Sequence, residues 1–106
     1  MKSVVSYPLF VLCIASMFTA RLLAAEKPSL EKGRLLFNSR SLSGATSGKS
    51  CAECHPAGAG LENAWKNPNL AAQVNNCIAG PLKGMKLEVN SVEMQSLIVY
   101  IRSLKQ

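Results

Sequence analysis

The sequence predicts a small all-α domain, and three observations lead there. Met94, Leu97, Ile98, Ile101 and Leu104 recur at three-and-four spacing, the signature of one buried helical stripe. Ser29, Asn67 and Ser91 each stand where a helix N-cap belongs, with Pro68 at a first helical position after Asn67. No segment alternates apolar and polar residues as a half-buried strand does, and no internal repeat or linker interrupts the chain.

The first 25 residues read as a removable leader. Met1-Lys2-Ser3 is a short basic start, and the seventeen residues Val4–Ala20 are apolar apart from Ser6, Ser16 and Thr19. Small residues follow at Ala20, Ala24 and Ala25, the pattern of a secretory signal peptide cleaved before Glu26. The alternative is an uncleaved anchor, although the run is shorter than the ~20 residues that span a bilayer and contains Pro8. The domain proper is then 26–106, 81 residues, with Cys13 lost with the leader. A chain this short buries proportionally little surface and needs a staple such as a metal, disulfide or cofactor. Ten Lys and Arg against six Glu leave it a charge of +4, which favours acidic partners or anions. No basic run or basic-aromatic patch points to nucleic acid.

Within 26–106, Ser29 caps a helix from Leu30 to about Asn38, with Leu30, the Arg34 stem, Leu36 and Phe37 near one face. Gly33 costs this helix ~1 kcal/mol relative to Ala, so its use there is to permit a close crossing. Residues 39–50 are rich in Ser, Gly and Thr and read as loop. Ala57-Gly58-Ala59-Gly60 is a flexible return. A second helix runs from Pro68 to about Ile78 and stops at Gly80-Pro81. Leu82–Asn90 has no clear period and reads as loop, and Ser91 caps the last helix, Val92 to about Leu104.

Between the first loop and the glycine-rich return stands Cys51-Ala52-Glu53-Cys54-His55, a C-x-x-C-H run. Two thiols three residues apart lie on one helical turn at the separation of the two haem vinyl groups, and the adjacent histidine is placed to ligate iron. The run therefore predicts one covalently attached haem c, with thioethers at Cys51 and Cys54 and His55 as proximal ligand. Zinc held by these residues and Cys77 is the competing reading, but structural zinc sites separate their ligands by two or more residues. A thioredoxin-like redox pair needs a βαβ context that the sequence lacks.

These residues, in this order, resemble class I c-type cytochromes over the whole of 26–106. The matching features are the Gly33-Arg34-Leu35-Leu36-Phe37 helix, the attachment run, and the Ser91–Leu104 helix with Tyr100. The resemblance implies a cytochrome c-like domain whose N- and C-terminal helices cross beside the haem, with Gly33, Phe37 and Tyr100 at the contact. A narrower likeness lies in Val74-Asn75-Asn76-Cys77, Pro81-Leu82-Lys83-Gly84 and Ser91-Val92-Glu93-Met94. These stretches are similar to the haem domains of the SoxA subunit and of thiosulfate dehydrogenases, which implies that Cys77 supplies the distal haem ligand. Thiosulfate dehydrogenases typically hold two haems, whereas this chain has one C-x-x-C-H run.

The distal position is contested among residues of this chain. Cys77 is the one cysteine of 26–106 outside the attachment run, and a cysteine without a disulfide partner in an exported chain calls for a reason. Its alternative role is a small apolar core residue. Met85, six residues before Ser91, lies where class I cytochromes place a ligating methionine; otherwise it is a gap-filler or a loop residue. Met94 falls on the apolar stripe and belongs with the core. Trp65 packs on the haem or donates its indole N–H to a propionate, or else plugs the gap between loop and helix. Lys49, Lys66, Lys83 and Lys86 either ring an exposed haem edge or are scattered and solvated.

The expected function is one-electron transfer between redox proteins of an electron-transfer chain in the periplasm. Membrane association is expected only if the leader is retained. The alternatives are a thiolate-ligated protein handling sulfur compounds and a ligand-binding haem protein with an open distal position. No paired acid and base or nucleophile constellation suggests hydrolysis.

Overall fold

In the computed structural model, which describes residues 26–105, Ser29 begins the first helix as its position predicts. Its Oγ accepts the Lys32 N–H at 3.0 Å and satisfies one of the orphan donors of α1, Leu30–Phe37. The leader expected over 1–25 lies outside the described residues. Three further α-helices and short 3₁₀ turns make up the rest, with no strand among the described residues, as the all-α expectation requires.

The crossing of α1 with α4, Val92–Ser103, is the most extensive helix contact in the molecule. Gly33 makes it possible: a Cβ there would overlap the Ser96 carbonyl and lie 2.7 Å from Tyr100 Cβ. Ser96 is wholly buried, and its Oγ accepts the Ser29 N–H at 3.0 Å, tying the start of α1 to α4. One turn along, the Phe37 and Tyr100 rings pack with centroids 5.1 Å apart and planes tilted by 58°. The expected inner face of α1 is correct at Phe37 and only partly so at Leu36. Leu30 is 51% exposed, because it sits at the end of the stripe, a turn before the crossing at Gly33.

The stripe of α4 is buried at Met94, Leu97, Ile98 and Ile101, with Leu104 packed against it as the C-cap residue. Met94 belongs to this core. Ser91 Oγ accepts the Met94 N–H at 3.1 Å, the predicted cap.

Another helix, α3, spans Leu70–Ala79, starting two residues later than the proline rule indicates. Asn67 uses its Oδ1 to accept the Asn69 N–H at 2.8 Å, so its side chain closes a turn through Pro68 instead of capping the helix. The end is as expected: Gly80 follows Ala79, its N–H donating to the Asn76 carbonyl. The chain then returns beneath α3. Leu82 N–H donates to the Cys77 carbonyl at 3.1 Å and Gly84 N–H to the Ile78 carbonyl at 2.8 Å. The 41–47 loop is laced to this return, with Thr46 and Ser47 N–H groups donating to Leu82. None of the helices among the described residues is long and apolar enough to cross a membrane.

Candidate functional site

The C-x-x-C-H run forms its own single-turn helix, α2, Cys51–Cys54. Four residues have little helical stability alone, and the sequence supplies a capping box to hold them. Ser50 Oγ accepts the Glu53 N–H at 3.3 Å, and Glu53 returns a carboxylate oxygen to the Ser50 N–H at 2.9 Å. That carboxylate also pairs with Arg40 from the preceding loop and is held below the usual carboxylate range, chiefly by the Ser50 N–H.

His55 ends this helix, and its Nδ1 lies 2.8 Å from the carbonyl oxygen of Ala59. A carbonyl can only accept, so the imidazole carries its proton on Nδ1 and leaves the Nε2 lone pair available to a metal. The return that brings Ala59 back uses three residues at positive φ, Ala57, Gly58 and Gly60. A Cβ on Gly60 would sit 3.5 Å from His55 Nδ1, an ordinary contact, so it is the positive φ that favours glycine there.

Cys51, Cys54 and His55 line one wall of a cleft of about 130 Å³. Phe37 of α1, Leu97 and Ile101 of α4, Leu61, Ala64, and Leu70, Val74, Cys77 and Leu82 of α3 and its return also line it. The lining is mainly apolar, so a charge in it is poorly solvated. Burial accordingly pushes the Cys51 thiol up to about 11, with Cys77 reinforcing the shift. Burial raises Cys77 as well, followed by the influence of Cys54. All three sulfur-bearing residues line this one cleft, and all three are free thiols among the described residues.

The structure separates the other candidates. Cys77 lines the cleft, whereas Met85 does not and is 77% exposed. Trp65, on the 3₁₀ turn Ala64–Lys66, is 40% exposed and outside the lining, with the ammonium groups of Lys66 and Lys105 each 5.3 Å from its ring centroid. Lys49, Lys83 and Lys86 are likewise exposed.

Asn75 is a functional candidate that residue type alone did not indicate. It is buried on α3 and grips the backbone of Leu87 twice: Nδ2 donates to the carbonyl at 2.8 Å, and Oδ1 accepts the N–H at 2.7 Å. The available signal was periodicity, since Ala71, Val74, Asn75 and Ile78 share one helical stripe and Asn75 is its polar member.

No protein-family model, curated protein or solved structure matches this chain.

Proposed function

We propose that this chain is a monohaem c-type cytochrome of class I type that passes single electrons between redox partners outside the cytoplasm. The carrying observation is His55: its Nδ1–H is tied to Ala59 while Cys51 and Cys54 join it on the wall of a mainly apolar cleft. Two thiols and an oriented imidazole form a donor set suited to covalent haem. The macrocycle is larger than the enclosed space, so the fit rests on these donors and on the apolar lining. When bound, haem would supply an iron centre that alternates between ferric and ferrous states. The chain's own contribution would be to hold the group through Cys51, Cys54 and His55, to exclude water with the apolar side chains of Phe37, Leu97 and Ile101, and to tune its potential with a further sulfur ligand.

For that ligand the cleft favours Cys77 over Met85, because Cys77 lines it and Met85 is outside. A thiolate donates electron density, whereas a methionine opposite histidine raises the potential. The same position for Cys77 favours a second reading, a SoxA-like or thiosulfate dehydrogenase-like protein that handles sulfur compounds.

The deciding experiment is expression with haem-maturation machinery, followed by ferric and ferrous spectra of the wild type, Cys77→Ser and Met85→Ala. Covalent haem in the wild type, with a ferric spectrum altered by Cys77→Ser and unchanged by Met85→Ala, is expected. Absence of covalent haem sinks the proposal; an unchanged Cys77→Ser spectrum sinks the thiolate assignment. Turnover of thiosulfate with a dye acceptor would favour the second reading over a simple carrier.

A further inference from the structure

We propose that Ser43 and Asn75 form a two-point latch that selects the distal sulfur, holding Met85 outside the cleft and leaving the position to Cys77; this rests on the haem-binding reading above. The two sulfurs lie close in the chain. Cys77 is in the last turn of α3, and its carbonyl accepts the Leu82 N–H at 3.1 Å. Leu82 itself lines the cleft. Met85 follows three residues later, within ~10 Å of extended chain, so backbone length does not keep it out.

Hydrogen bonds on both sides of Met85 do. Met85 N–H donates to the Ser43 carbonyl at 2.9 Å, and Ser43 Oγ–H donates back to the Met85 carbonyl. Two residues on, the Asn75 amide satisfies both the N–H and the carbonyl of Leu87. Lys86 is therefore the one residue between two doubly bonded points. Close packing at Gly84 adds to the restraint, since a Cβ there would meet the Ser43 carbonyl at 3.1 Å. A methionine held this way presents its thioether to solvent, where it is 77% exposed. Asn75 stands on the same helix as Cys77, two residues earlier, so one amide fixes the loop relative to the helix that carries the chosen sulfur. Ser43 and Asn75 are positioning residues; neither needs to touch the bound group.

The test uses the haem-loaded protein carrying Ser43→Gly and Asn75→Ala. Ser43 has φ 51°, so glycine removes the hydroxyl without adding backbone strain. The readouts are amide hydrogen exchange at Leu87, the ferric near-infrared spectrum and the reduction potential. The expected result is loss of exchange protection at Leu87, whose acceptor Asn75→Ala removes, appearance of the near-infrared charge-transfer band of a thioether ligand, and a rise in potential. Adding Met85→Ala should abolish the new band. If the Leu87 amide exchanges freely while the spectrum stays that of the wild type, or if it remains protected, the latch is overturned. A new band that survives Met85→Ala overturns it too. Should the double variant fail to fold, Ser43→Gly alone is expected to give the thioether band and the rise in potential at smaller amplitude, because it releases the Met85 carbonyl, and a spectrum that stays that of the wild type overturns the latch. A wild type without covalent haem, or one whose spectrum ignores Cys77→Ser, instead refutes the underlying reading before the latch is tested.

Discussion

The carbonyl of Ala59 lies 2.8 Å from Nδ1 of His55 and fixes which imidazole nitrogen is left bare. The bond depends on a return with Ala57, Gly58 and Gly60 all at positive φ, a conformation that β-branched residues would resist. Local backbone geometry thus determines the chemistry of the ring.

The neutral His55 ring should therefore be the Nδ1–H tautomer. Long-range ¹H–¹⁵N spectra of the haem-free chain at pH 8 are expected to show a protonated Nδ1 and an unprotonated Nε2. The opposite assignment would remove the basis for metal ligation through Nε2.

Gly33 is the most sensitive packing position. An alanine Cβ would overlap the Ser96 carbonyl, which belongs to buried α4 backbone and cannot swing aside. The helix-propensity gain of ~1 kcal/mol is smaller than the cost of separating the helices. Overpacking of this kind costs ~1–3 kcal/mol, and a clash with backbone belongs at the upper end, so Gly33→Ala should give a net loss of about 2 kcal/mol in urea unfolding. A stability equal to wild type would mean that α1 and α4 do not cross there.

Much of this arrangement was legible in the chain. Ser29 and Ser91 announced their helices because a serine cap acts through its own neighbours, and the α4 stripe was visible because burial follows the 3.6 period. The C-x-x-C-H run likewise marked Cys51, Cys54 and His55 as one cluster through local spacing. Asn67 misled because the same side chain can close an Asx turn or cap a helix, and Pro68 suits either context. That Met85 faces away from the cleft was not legible. It depends on which way a loop faces, and that is set by Ser43 and Asn75, 42 and 12 residues from the backbone groups they hold. Such long-range pairings leave no spacing signal in a single sequence.

Cys51 should make the haem-free fold sensitive to alkali. Its folded thiol is pushed up to about 11 by burial, against an ordinary value of 9.0. The folded chain therefore holds this proton more tightly than the unfolded chain. The resulting stabilisation is complete below about pH 9 and is lost as pH rises through about 11, amounting to no more than ~3 kcal/mol. Iodoacetamide labelling read by mass spectrometry should show Cys51 reacting on the order of 100-fold more slowly at pH 8 than an unfolded-chain cysteine, because thiolate is the nucleophile. Cys51→Ala should flatten the loss of stability between pH 9 and 11. Equal labelling rates in folded and unfolded chains would contradict the burial of this thiol.

Trp65 should matter little to cofactor attachment. Its ring is outside the cleft and lies near the ammonium groups of Lys66 and Lys105, each 5.3 Å from the ring centroid. Exposed cation–π contacts contribute ~0.5–1 kcal/mol each, and phenylalanine retains part of that attraction. Trp65→Phe is thus expected to leave haem attachment and the ferric spectrum unchanged, with stability lowered by about 1 kcal/mol or less. Lys105→Gln should lower stability by a similar small amount in the wild type and by less in the Trp65→Ala background, the non-additivity expected of a direct contact. A marked drop in haem incorporation on Trp65→Phe would instead place the indole against the bound group, as an alternative to its position over the two lysines.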